Sequence, residues 1–452
     1  MVIVHRGWWR LKVKRLVGLI VKYFIKPLMR KVGLHIVQPI IGRYLNAIIG
    51  TSHKARKTDL ITTRTAHLIA RRPYVESQKI RIIFLFQSAS FWPSWESLWE
   101  ECKNDSRFET HMLVCDDPIK EKVQFASAQS FLTEKKIDFE HVRNVDICEI
   151  APHIIVVHTP YDGHRPNSLR SGPLSARGFR IVYIPYGIEI SDSPQAQRDH
   201  FTVDVIENAW RIYTFSENML PEYRFYSTFG GDAARSYGHP KFDGLLGFKD
   251  AGLPEDILIK AAGRKVVLWK VHFPKEVDGI LITPSLETYI NFARKLTDFQ
   301  DLFFIFMPHP KFYEQANYFG NSDLLNSLLE QAENAVQFTD DDYRQVLMNC
   351  DYYMIDRSAL MIEAGITGRP ILFMENDNYT EPMTSPVQTI IDTYYKSSSA
   401  RDMVNFIDRV VISGEDERRD ERIAAVKSVI LNLDGQSGSK IKEDMVRALQ
   451  AE

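Results

Sequence analysis

From residue 78 onward, apolar runs rich in Val, Ile and Phe recur ten times, each followed by a longer mixed segment. The runs are Ile80–Phe86, His111–Cys115, His153–Thr159, Arg180–Tyr186 and Trp210–Ser216, then Lys265–Phe273, Leu302–His309, Ala335–Thr339, Tyr352–Asp356 and Pro370–Glu375. Unbroken apolar runs of this length are expected of strands covered on both faces. Their alternation with helix-like segments predicts parallel, doubly wound sheets. Gly244, Gly247, Gly252 and Pro254 cluster between the fifth and sixth runs and mark a break. The expected fold class is therefore α/β, with two doubly wound Rossmann-like domains, about 76–245 and 255–412, facing a cleft. Residues 413–452 read as a charged helical tail. Ligands of such sheets bind where strands end.

Charge is distributed unevenly. Residues 1–72 hold sixteen Lys or Arg and one acid, Asp59, which leaves 40 bases against 57 acids for the rest of the chain. Trp8, Trp9, Leu11, Leu16, Ile20 and Phe24 are interleaved with Arg10, Lys12, Lys14, Arg15 and Lys22. No uncharged apolar run there reaches the ~18 residues needed to span a bilayer, and the charges interrupt any signal-peptide core. A basic N-terminal helical extension, residues 1–75, lying in the interface of an anionic membrane is the expected arrangement. The alternatives are packing on the acidic body or a nucleic-acid arm. No nucleic-acid motif supports the last, so no nucleic-acid partner is expected. The four cysteines form no CxxC pair, which fits a reducing, cytoplasmic compartment and no Cys-based zinc site.

Chemically loaded residues follow the strand candidates. Pro308 and Pro310 hold His309 in a stiff turn beside Lys311, suited to a phosphate oxygen or to general-acid work. Asp356-Arg357-Ser358 ends another strand, with Ser358 expected at a helix N-terminus, where unpaired N–H groups favour anions. Glu363, five residues further along, is placed to accept from ribose hydroxyls. Lys270 and His272 share one face of a third strand end. In the first half, His158, Asp162, His164 and Tyr186 are base or acceptor-site candidates. The segment Tyr237 to Asp243 reads as a hinge or a plain turn. No P-loop, GxSxG, HExxH, EF-hand or GxGxxG is present, and no carboxylates cluster as metal ligands. Neither metal nor cofactor is expected.

In order along the chain stand GHPKFDGLL, KVVLWKVHFP, FMPHPKF, NCDYYMIDRSALMIEAGITGRPILFMEND and LDGQSGSKI. This series resembles the CDP-glycerol glycerophosphotransferase family of wall and capsule polymerases, over roughly residues 155–445. The resemblance implies a GT-B architecture, with a nucleotide-diphosphate donor, CDP-linked, held by the C-terminal domain. It implies metal-independent transfer of glycerophosphate or a related polyol-phosphate to a lipid-linked or polymeric acceptor at the inner face of the cell membrane. His309 matches the family's Pro-His-Pro histidine. Asp356 and Ser358 match the Asp and first Ser of its Asp-Tyr-Ser-Ser, and Glu363 matches the acid downstream. Lys270 to Pro274 take the place of its Pro-Thr-x-Arg. Arg357 and Ala359 depart from the pattern, and the family's first-domain His-Gly is Tyr186-Gly187 here. A tyrosine with a pKa near 10 is a poor base, so the base is His158 or His164, the acceptor differs, or activity is lost. A GT-B glycosyltransferase using a nucleotide sugar and a non-catalytic nucleotide-binding relative are the alternatives.

Overall fold

The computed structural model describes residues 55–118, 123–277, 280–340, 342–376 and 382–452. The basic, tryptophan-bearing segment 1–54 lies outside the described residues. By contacts the chain divides into two compact units, 1–62 and 63–452. Of the first unit, residues 55–62 are helical. The second holds both sheets.

Seven parallel strands form the first sheet: β1 (Ile80–Phe86), β2 (Phe108–Val114), β3 (Glu140–His141), β4 (Ile154–Val157), β5 (Arg180–Tyr183), β6 (Arg211–Thr214) and β7 (Ala234–Ser236), in the order β3-β2-β1-β4-β5-β6-β7. The chain winds outward from β1 to β3 and then returns to β4 beside β1. The crevice at the carboxyl ends of β1 and β4 is thus the topological switch point. Residues Ile82–Phe86 and Ile154–Val157 are buried throughout, because helices cover both faces.

The second sheet repeats this winding. Its strands are β8 (Lys265–Val271), β11 (Leu302–Pro308), β12 (Ala335–Gln337), β13 (Tyr352–Ile355), β14 (Ile371–Met374) and β15 (Tyr395–Ser397), ordered β12-β11-β8-β13-β14-β15. A two-stranded ribbon, β9 (Glu276–Val277) with β10 (Ile280–Leu281), sits apart. Here the switch point lies between β8 and β13. All ten predicted strands are present. Most are one to three residues shorter at the carboxyl end, with His158 and Asp356 just past the last strand residue. The strands β3, β7 and β15 and the ribbon were not foreseen.

The predicted tail does more than trail. Its last helix, Ser437–Gln450, packs on the helix Glu96–Lys103 and delivers Ile441, Met445 and Leu449 to the core under the first sheet. That four-residue spacing is one helical face. Asp243 pins the start of this helix, accepting from Ser437 N–H at 3.1 Å, Gly438 N–H at 2.9 Å and Ser97 Oγ at 2.8 Å. The fit is close. A Cβ on Gly438 would stand 2.7 Å from the Leu98 nitrogen, and Gly238 adopts φ +82° with Ser437 Oγ 2.5 Å from where its Cβ would be. The GHPKFDG and DGQSG segments, nearly two hundred residues apart, therefore meet as one joint.

Candidate functional site

Register brings the second-sheet residues to one level. Val271 pairs with Pro308, and Lys270 pairs with Ile355. The next residues, His272, His309 and Asp356, consequently emerge together at the switch point. The His309 N–H donates to the Val271 carbonyl at 2.8 Å, tying two strand ends.

Asp356 is fully buried. Its carboxylate accepts the His272 N–H at 2.8 and 2.7 Å and the Tyr289 hydroxyl at 2.8 Å. Burial pushes it up to about 6, against the pull of Lys270 and these hydrogen bonds. Asp356 thus fastens β13 to β8 and sets the direction of His272. Lys270 is also buried; its ammonium donates to the Val271 carbonyl at 2.7 Å, and burial pulls it down to about 8, with Asp356 opposing.

The two imidazoles have complementary tautomers, assigned from their hydrogen bonds. Nδ1 of His309 accepts from the Lys311 N–H at 3.1 Å, so Nε2 carries the proton. Nδ1 of His272 donates to the Phe273 carbonyl at 3.0 Å, so its Nε2 offers a lone pair. Burial, aided by neighbouring positive groups, holds His309 down to about 3 and His272 down to about 4; both are neutral at pH 7. The rings lie 4.8 Å apart. An N–H donor and a nitrogen acceptor therefore stand on neighbouring rings at these strand ends, with Lys311 exposed and Arg357 half-buried. The Ser358 hydroxyl is buried and makes no hydrogen bond. The helix begins later than expected, at Leu360 with Ala359 at its cap, because the Ser358 carbonyl closes a turn to Met361 instead.

Glu363 has a different setting from the one expected. One oxygen pairs with Lys241 Nζ at 3.1 Å and the other accepts the Tyr343 hydroxyl at 2.6 Å, with no solvent access. It joins the second sheet's helix to the helix Pro240–Leu246 that follows the first sheet.

At the first switch point, His158 is buried between Phe91 and Trp95, with centroids at 4.6 and 4.4 Å. Both ring nitrogens lack a hydrogen-bond partner, and burial holds its pKa well below the usual value. It is closed off from any hydroxyl arriving from solvent. His164, by contrast, lines a small, partly open pocket with Gln87, Phe91, Asp117, Thr159, Tyr161 and Tyr186. Its Nδ1 lies 2.6 Å from Asp117 Oδ2. Burial raises the Tyr186 phenol, which stays protonated. Asp162 serves its own turn, accepting from Arg165 at 2.5 Å and from the Ser171 hydroxyl at 2.6 Å. Asp117, Tyr289, Tyr343 and Lys241 were missed as site neighbours. Asp117 left a signal, an acidic pair just past an apolar run, and Lys241 stood within the GHPKFDGLL segment. Among the described residues no His, Cys, Asp or Glu group is arranged to hold a metal ion.

Two parallel sheets with Rossmann winding and their switch points in one compact unit define a GT-B fold. Solved structures agree. The chain is similar to Staphylococcus aureus MnaA with UDP (TM-score 0.57, 14% identity, 82% of this chain and 97% of that one). It is similar to the UDP-GlcNAc 2-epimerase of Neisseria meningitidis bound to UDP-GlcNAc (TM-score 0.54, 12% identity, 81% and 100%). It is similar to the wall teichoic acid polymerase TagF (TM-score 0.55, 13% identity, 91% and 98%). No family model and no curated protein sequence matches. At these identities the likeness is one of fold.

Proposed function

We infer that the chain is a GT-B transferase that moves glycerophosphate, or a related polyol-phosphate, from a CDP-activated donor to a lipid-linked or polymeric cell-surface acceptor. One observation carries this reading: a neutral His309 whose Nε2 bears the proton stands at the second switch point, beside His272 and near the Ser358 hydroxyl, which makes no hydrogen bond. A donor diphosphate accepts hydrogen bonds from His309 and Ser358 and is neutralised by Lys311 and Arg357. Lys270 adds a buried positive charge behind them. Charge that develops on the leaving nucleotide is met by these preset dipoles. The basic segment 1–72 holds the enzyme on the inner face of an anionic membrane, where such acceptors reside.

A nucleotide-sugar glycosyltransferase is the second reading, favoured by the fold shared with UDP-binding proteins. Thermal-shift titration with CDP-, CMP- and UDP-linked compounds separates the two. His309→Ala lowers turnover by about 10²–10³ with the melting temperature preserved; near-normal turnover sinks the assignment. Nucleotide binding without transfer to any acceptor would favour a non-catalytic relative.

A further inference from the structure

We propose that a pocket at the far end of the first sheet is an anion site, filled in this structure by the side chain of Glu452, and that it takes the phosphate group of a ligand when Glu452 withdraws.

The pocket belongs to the larger unit and lies at the amino ends of β5, β6 and β7, opposite the switch point. Its volume is about 260 Å³, close to the lower end for small-molecule sites. Arg64, His67 and Arg71 recur at helical spacing and share one face of their segment. Asn208, Trp210, Arg211 and Asp232 line the same space.

Glu452, just past the last helix, shows what the wall can hold. Its side chain is 16% exposed. One oxygen accepts the Trp210 indole N–H at 2.7 Å and lies 2.9 Å from Arg71 Nη1. The other accepts Nε–H and Nη2–H of the buried Arg180 at 2.8 and 2.6 Å. Two guanidinium groups and an indole N–H around one anion form a donor set that suits phosphate oxygens equally. More positive charge stands beside this cage. Arg64 has no carboxylate partner among the described residues; it donates to the Glu207 carbonyl at 3.3 Å and lies 4.5 Å over the Phe229 ring. Arg211 rests on Trp210 at 4.7 Å and reaches Asp444 at 3.3 Å. With Glu452 withdrawn, Arg64, Arg71, Arg180 and Arg211 face only Asp232 and Asp444, an excess that a phosphate dianion balances.

Two further groups fit this reading. His67 donates from Nδ1 to the Ser175 carbonyl at 3.1 Å. Burial, opposed by that bond and reinforced by Arg180 and Arg71, holds its pKa below the usual value, so the ring senses the positive field. Asn208 Oδ1 is buried with no hydrogen-bond partner and can accept from a hydroxyl of the ligand. The phosphate comes either free or on a lipid headgroup. Leu68 and Ile69, 64% and 82% exposed, give a lipid apolar contact that a free ion lacks.

The test titrates the full chain at constant ionic strength and follows the His67 ring resonance, assigned by its loss in His67→Gln. Inorganic phosphate and monomeric dihexanoylphosphatidylglycerol are the two probes. Glu452→Gln, which leaves Arg180 without its carboxylate, is expected to bind phosphate at least about tenfold more tightly than wild type. Arg64→Ala is expected to bind it about tenfold more weakly. His309→Ala, in the other half of the chain, leaves the titration unchanged. Tighter binding of the lipid, lost in Leu68→Ser, supports the site with a headgroup as its source; equal affinity for both probes supports it with the free ion. A His67 resonance that ignores both probes in wild type and Glu452→Gln, or unchanged affinity in Arg64→Ala, overturns the proposal. If Glu452→Gln does not fold, wild type and Arg64→Ala decide alone. The outcome is independent of the transferase reading, because no arm of the test measures transfer.

Discussion

The Lys241–Glu363 pair offers the sharpest energetic test. Its side chains are 8% and 0% exposed, with the charged atoms 3.1 Å apart. Removing one partner strands the other charge in a low-dielectric site, which costs about 3–5 kcal/mol. Glu363→Gln keeps an oxygen for the Tyr343 hydroxyl and so isolates the charge. Lys241→Met keeps the aliphatic stem and removes the ammonium. Each alone should therefore cost about 3–5 kcal/mol, and the double variant much less than the sum, because no charge is then left unpaired. The coupling in a double-mutant cycle is expected at about 2 kcal/mol or more. Urea unfolding followed by tryptophan fluorescence reads it, with hydrogen exchange confirming that the same transition is compared. Additive losses, with coupling under about 0.5 kcal/mol, would show that the pair is not the buried connection argued for.

Asp243→Ala removes the acceptor for two amides and a hydroxyl at the joint of the last helix, and roughly 2–4 kcal/mol of stability. Hydrogen exchange should rise across 437–450 and stay unchanged in β8; uniform change would contradict the pinning role. Acid should also destabilise the fold. His239 is buried, its ring nitrogens bonded to the Pro185 carbonyl at 2.8 Å and the Lys241 N–H at 3.1 Å, and burial holds it down to about 3. Since the unfolded form binds the proton first, stability present above pH 6.5 is lost on acidification at roughly 1.4 kcal/mol per pH unit. Asp356, raised from 3.8 to about 6, works in the opposite sense, so the contribution is read as the difference between wild type and His239→Asn, whose amide preserves the helix cap. Equal acid slopes would refute it. Truncation before residue 55 should release the protein from anionic liposomes while its melting temperature holds, and salt should weaken binding of the intact chain; liposome binding that survives both would refute interfacial attachment.

The strands were readable because each is a run of Val, Ile and Phe whose both faces are covered, a pattern needing no knowledge of neighbours. Those missed, such as Glu140–His141 and Tyr395–Ser397, are two or three residues at sheet edges, where polar side chains meet solvent. Strand ends likewise located His272, His309, Asp356 and His164. What no local pattern could provide was the partner of each. The Asp117 contact to His164 and the Asp243 contact to Ser437 join residues 47 and 194 positions apart. Glu363 read as exposed to ligand because the lysine that buries it sits on the other half of the chain.

The helix Ser437–Gln450 also dictates an order of events during synthesis. The tryptophan-rich surface it covers, Trp95 and Trp99 among it, is translated long before the helix itself. At ribosomal speeds roughly ten to forty seconds separate Leu246 from Ser437. Throughout that interval the earlier layer must wait, greasy and open, while the later one is made and folded. Expressing either half alone would leave that seam permanently bare, so the two halves are partners in assembly before they can be partners in chemistry.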